Sequence, residues 1–76
     1  MQVKINFLAS LRHYNNGEEI KILELEPDMK IKKLISFLNL PKGEIMQVVI
    51  EGRKKGNDET IGVCNEIFIF PILSGG

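Results

Sequence analysis

Few residues in this chain are of a type that performs chemistry. There is one cysteine, Cys64, and one histidine, His13. A structural zinc site wants about four Cys, His or carboxylate ligands, and no such cluster stands in the sequence. No Ser-His-Asp set, paired-carboxylate motif or phosphate loop is present either. Cys64 has no base beside it in sequence, so it reads as a small buried or loop residue, with a redox-sensitive thiol as the alternative. His13, in "LRHYNNG", reads as a solvated loop residue. What remains is the end of the chain, "FIFPILSGG", where an apolar strand runs through Pro71 into Gly75 and Gly76. A C-terminal carboxylate has a pKa of about 3.5, so at neutral pH it is an anion and a poor electrophile. Glycine lacks Cβ, so a backbone of this kind passes a constriction and adopts positive φ. Gly76 lies six residues beyond Phe70, roughly 20 Å when extended, enough to reach an active site from a docked domain. Ser74 is small as well, and Ile72 and Leu73 are placed to grip the mouth of such a channel. An untethered terminus is disordered alone and would be extended when bound. The competing reading is a frayed, functionless end. Apolar residues running so close to the terminus weigh against it.

Elements upstream must present that tail. "MQVKINFL" alternates, with Val3, Ile5 and Phe7 on one face and Leu8 on the other, the period of a half-buried strand. Asn15-Asn16-Gly17 signals a turn. "EIKILELE" follows as a second strand with Ile20 and Ile22 in phase; Leu23 and Leu25 fall out of phase with them, which predicts a bulge or irregular end. Ile31, Leu34, Ile35 and Leu38 form the stripe of an amphipathic helix, closed by Pro41. Its start is poorly capped, near Lys30, and Lys30, Lys32 and Lys33 crowd an end where the helix dipole disfavours cations. They read as a solvated face, or else as a basic patch for an acidic partner. "EIMQVVIEGRKKGN" gives a third strand, a turn at Glu51-Gly52 and a short fourth strand, with Val48 and Ile50 inward and Val49 outward. Its "GRKK" reads as a solvated turn, or as a contact for an anionic phosphate or an acidic partner surface. "EIFIFPIL" is the last strand, Ile67 and Ile69 on one face and Phe68 and Phe70 on the other. One helix must cover one face of a mixed sheet of four to five strands. The fold expected is α+β, a β-grasp or ubiquitin-like domain over 1–70, with a flexible tail over 71–76. In that arrangement the first and last strands lie parallel at the centre, and a near-continuous apolar run suits the central strand.

Bulk composition bounds the rest. The chain has 76 residues, with ten basic and ten acidic side chains and a formal net charge of zero. Phosphate binding wants a net basic domain or stripe, so nucleic acid is not the expected partner. No apolar run approaches the roughly 20 residues of a membrane span. "MQVKINFL" lacks the arrangement of a signal peptide, and a lone thiol fits a reducing compartment. A soluble, cytoplasmic domain with no bound metal is expected. Its core is small, since a chain this short buries only about 60% of its unfolded surface.

"FLASLR", "LISFLNLP" and "EIFIFPILSGG" together resemble the small sulfur-carrier proteins of the MoaD and ThiS family. The resemblance spans essentially the whole chain, and its most specific part is Gly75-Gly76. "FLASLR" and "FPILSGG" are more similar to the MoaD branch, the small subunit of molybdopterin synthase. Two places depart from it: Ile50-Glu51-Gly52 where that branch reads Val-Asn-Gly, and Val63-Cys64-Asn65 where it reads Asp-Gly-Asp. The resemblance implies that an adenylating enzyme of the ubiquitin-activating type (MoeB- or ThiF-like) transfers AMP from ATP to Gly76. A persulfide sulfur then attacks, leaving a thiocarboxylate. The chain itself would be no enzyme and hold no cofactor; ATP would be used by the partner. For the MoaD branch, the large subunit of molybdopterin synthase would receive the sulfur, in molybdenum cofactor biosynthesis.

Strand phase also supplies a docking surface. Leu8, Val49, Phe68 and Phe70 point away from the helix-covered face, and in β-grasp order they form one patch. Patches of this kind mark interaction sites, and Phe70 is the first choice as hot spot. Pro71 leads into the tail. Arg12 lies just past the first strand, where the family pattern also has an arginine, and is placed to pair with an acidic group on a partner. Three readings stay open: a sulfur carrier for molybdopterin; the same chemistry for the thiazole of thiamine, a tungsten-pterin or another metabolite, or joined to lysines as ubiquitin is; and a non-catalytic β-grasp protein-binding module.

Overall fold

The computed structural model describes residues 1–8, 11, 15–40 and 46–71. Its elements run β1 (Gln2–Phe7), β2 (Ile20–Glu24), α1 (Ile31–Phe37), β3 (Met46–Ile50), β4 (Arg53–Lys55) and β5 (Glu66–Pro71). They form one five-stranded sheet in the order β2-β1-β5-β3-β4. β5 runs parallel to β1 and antiparallel to β3. The expected β-grasp architecture is present, with the last strand at the centre.

Alternation builds the core. Val3, Ile5 and Phe7 from β1, Ile67 and Ile69 from β5, and Val48 and Ile50 from β3 are all buried on one face of the sheet. Ile31, Leu34 and Leu38 cover them from the helix, and Leu11, Leu25, Leu40, Ile61 and Cys64 complete the cluster. No buried polar or charged residue interrupts it among the described residues.

β2 departs from expectation. Its ladder with β1 is continuous, from Gln2 opposite Glu24 to Asn6 opposite Ile20, so no bulge is needed. Val3 lies opposite Leu23, which puts Leu23 on the core side and Leu25 beyond it in the core, while Ile20 and Ile22 fall on the other face and are exposed. The two apolar pairs are in opposite phases because they serve opposite faces of one regular strand.

The helix termini show how tertiary contacts replace missing local signals. Lys30 occupies the N-cap without a side-chain bond. Instead the carbonyls of Glu59 and Asn57 accept the N–H groups of Ile31 and Lys32, at 2.9 and 3.1 Å. The orphan donors of the first turn are thereby satisfied from the loop after β4. Lys32 also lies 3.4 Å from Asp58. At the other end the helix stops before Pro41, which lies outside the described residues. Asn39 takes φ 59°, its N–H bonds Ser36 O, and the Leu40 N–H bonds Ile35 O. This is a Schellman cap with asparagine in the left-handed position, and it ends the helix.

Two turns have two successive left-handed residues, one in the connection before β2 and one between β3 and β4. Asn16 and Gly17 have φ 54° and 83°, and Glu51 and Gly52 have φ 53° and 76°. The Glu51-Gly52 turn joins the paired residues Ile50 and Arg53, and a turn of this kind matches the twist of the flanking strands.

Candidate functional site

The face of the sheet opposite the helix carries the residues singled out for docking. The strand registers align Ile20, Asn6, Phe68, Val49 and Lys54 in one row across all five strands. Phe70 lies opposite Gln47 in the next row. The Leu8 N–H donates to Ile69 O at 3.0 Å, which extends β1 alongside Phe70. Leu8 is 37% exposed and Phe68 36%, whereas Val49 and Phe70 are half-buried. The four expected side chains therefore share one face and one neighbourhood. Phe68 is the more open of the two aromatics.

The opposite end of the same face is polar. The Asn6 Nδ2 donates to Glu66 Oε2 and to Ile67 O, both at 3.1 Å. Lys4 Nζ lies 3.7 Å from the same carboxylate oxygen. The face is thus divided, polar where β5 begins and apolar where it ends. Strand alternation alone does not reveal this division. It depends on the parallel register of β1 with β5, which sets Lys4 opposite Glu66 and Asn6 opposite Phe68.

The end of β5 is the other half of the site. Pro71 is its last residue, half-buried and paired with Met46. A proline is tolerated there because its position lies beyond the β1–β5 ladder, which runs to Phe7 opposite Ile69. The tail residues Ile72, Leu73, Ser74, Gly75 and Gly76 lie outside the described residues, as do Arg12 and His13. The chain enters the tail directly from the apolar end of the open face.

Cys64 lies in the loop before β5, and its side chain is buried in the core cluster. Burial pushes its thiol above the ordinary cysteine range; Glu51 adds to the shift and Lys55 partly opposes it. A thiol so placed is a weak nucleophile. Among the described residues no group of three or more His, Cys, Asp or Glu is placed to hold a metal ion. Among them, too, no helix is long and apolar enough to cross a membrane.

Sequence reasoning missed Ile20 and Ile22 as members of the open face. The signal that finds them is the pairing of Leu23 with Val3, which fixes the phase of β2.

No known protein-family pattern matches the sequence, and no curated protein matches it. Solved structures do. The fold is similar to that of SAMP1 from Haloferax volcanii, at 16% identity, with all of both chains covered and a TM-score of 0.68. It is also similar to a Pyrococcus furiosus protein described as molybdopterin converting factor, subunit 1, at 20% identity, covering 96% of this chain and 99% of that one with a TM-score of 0.74. The ubiquitin of Caldiarchaeum subterraneum matches at 21% identity over 100% of this chain and 98% of its own, with a TM-score of 0.64. The class is therefore a ubiquitin-like β-grasp domain. At these identities the likeness is one of fold.

Proposed function

We propose that this chain is a ubiquitin-like sulfur carrier that presents Gly76 to larger partner enzymes. Within that class, we infer the role of small subunit of a molybdopterin synthase. The observation that carries the reading is the handover at the end of β5. The central strand places Phe68 and Phe70 on an open apolar face and then passes, at Pro71, into the Gly-Gly tail. The "FPILSGG" resemblance and the fold shared with a protein described as a molybdopterin converting factor subunit support it.

In the chemistry proposed, the Gly76 carboxylate oxygen attacks the α-phosphorus of ATP on an adenylating enzyme, and pyrophosphate leaves. The terminal sulfur of a persulfide then attacks the acyl carbon and expels AMP. A thiol attacks the persulfide donor's own sulfur in the resulting acyl disulfide, forms a disulfide with that donor and releases the thiocarboxylate at Gly76. Leu8, Val49, Phe68, Phe70 and Pro71 would form the docking surface, with Arg12 available to a partner carboxylate. Ile72 to Gly75 would thread the channel. The large subunit of a molybdopterin synthase, or an analogous acceptor enzyme, would take the sulfur.

The likeness to a ubiquitin favours one second reading, in which the activated Gly76 carbonyl is taken by a lysine amine and forms an isopeptide bond. Thiolation of the parent chain separates carrier from simple binding module, and its absence would contradict the reading. A Gly76→Ala variant should fold as the parent does and bind its partners, yet accept sulfur poorly. Full thiolation of that variant would contradict the need for glycine at the reacting end.

A further inference from the structure

The two edges of the sheet are unlike. β4 is three residues long and wholly basic, Arg53, Lys54 and Lys55. Short, charged edges resist pairing with another chain. β2 is five residues long and regular, and the sheet ends there.

The ladder shows which groups β2 turns outward. The Phe7 N–H bonds Glu19 O at 2.7 Å and the Leu25 N–H bonds Met1 O at 2.8 Å. In an antiparallel pair, hydrogen-bonded residues alternate. Residues 19, 21, 23 and 25 therefore bond inward to β1, and the N–H and C=O of Ile20, Ile22 and Glu24 point away from the sheet. Asn15 Nδ2 already donates to Ile20 O at 3.2 Å. Among the described residues, pairing is left to the Ile20 N–H and to both groups of Ile22 and Glu24.

The side chains of these residues lie on the open face. Ile20 is 43% exposed and Ile22 51%. β-Branched residues so exposed on an edge are unusual, since edges are commonly protected by charge. Glutamates bracket them: Glu18, Glu19, Glu24 and Glu26, against one lysine, Lys21, all exposed. The Met1 amine lies 3.2 Å from Glu24 Oε2, while the Glu24 side chain stays 78% exposed.

We infer that the β2 edge is a second docking site, which takes an extended basic segment of a partner protein as a sixth strand. Backbone bonds at Ile22 and Glu24 supply pairing. Apolar residues of the segment at alternate positions cover Ile20 and Ile22. Basic residues flanking them meet Glu24 and Glu18. Acidic flanks repel a second β2, which disfavours a symmetric pair of copies. The inference does not depend on the tail, so a failure of thiolation would leave it standing.

The test uses the full chain and two capped seven-residue peptides, one Lys-Thr-Val-Thr-Val-Thr-Arg and one with glutamate at both ends. Titration followed by amide NMR should shift the resonances of residues 20–24. The basic peptide should bind about ten-fold tighter than the acidic one, and its advantage should shrink with added salt. Ile22→Lys should abolish this binding while the variant unfolds at the parent's temperature. Glu24→Lys, a second and independent variant, should remove the preference for the basic peptide. Equal affinity for both peptides, no binding at millimolar concentration, or shifts centred on Val49 and Phe68 would overturn the proposal. So would self-association of the peptide-free chain through residues 20–24.

Discussion

Val49 and Phe68 stand opposite each other across β3 and β5, with Asn6 on the far side of Phe68. The centre of the open face is therefore an aromatic ring held between a half-buried valine and a hydrogen-bonded amide. That setting gives a docking residue little freedom to lose on binding.

Phe68→Ala is expected to weaken binding to the adenylating partner by about 2 kcal/mol, roughly thirty-fold. Its own stability should fall by only about 1 kcal/mol, because the ring is partly in water already. Ile67→Ala, one residue away on the core side, should do the reverse, costing about 2–5 kcal/mol of stability through a cavity. Calorimetric binding and urea unfolding of both variants check this. Equal effects of the two on binding, at matched folded fractions, would contradict the assignment of faces.

The turn between β3 and β4 stores strain. Glu51 sits at φ 53°, a conformation costing a non-glycine residue about 1–2 kcal/mol. Asparagine tolerates that region better, so Glu51→Asn should raise stability by about 0.5–1 kcal/mol. Gly52 follows at φ 76° with open space around a would-be Cβ. Gly52→Ala should therefore destabilise through backbone strain alone, by about 1 kcal/mol. Urea midpoints with unchanged slopes would establish both signs.

Cys64 offers a pH test. Burial, reinforced by Glu51, raises its pKa in the folded state. The folded protein then holds the thiol proton more tightly than the unfolded chain. The associated stability is fully present below the unfolded pKa of about 8.5 and is lost as pH rises through the folded value. The difference in unfolding free energy between parent and Cys64→Ala should narrow steadily above about pH 8.5. A constant difference from neutral pH upward would refute it. Alkylation of Cys64 in the folded chain should likewise be much slower than in urea.

Most of the fold is legible in the sequence because alternation and helical spacing report burial directly. Val3, Ile5, Phe7, Ile67 and Ile69 fall on one face by alternation alone, and the stripe that begins at Ile31 places Leu34 and Leu38 over them. β2 resists this reading because "IKILEL" holds apolar residues in both phases. Only its pairing with β1 decides which pair is core. The helix caps are illegible for a related reason. The carbonyls of Asn57 and Glu59 that serve the helix start lie more than twenty residues away, and Asn39 ends the helix before the more conspicuous Pro41. Within the candidate site, the open-face side chains follow from strand phase. The Lys4–Asn6–Glu66 cluster does not, because it depends on the register between the two ends of the chain.

The central claim is that the Gly76 carboxylate accepts sulfur. Incubation of the full chain with ATP, an adenylating enzyme of the ubiquitin-activating type and a persulfide donor, followed by intact-mass measurement, tests it directly. A gain of about 16 Da, sulfur for oxygen, confined to the tail on fragmentation and absent when ATP is omitted, is the predicted result. An unchanged mass with several competent adenylating enzymes, or a gain that maps to Cys64, would contradict the account.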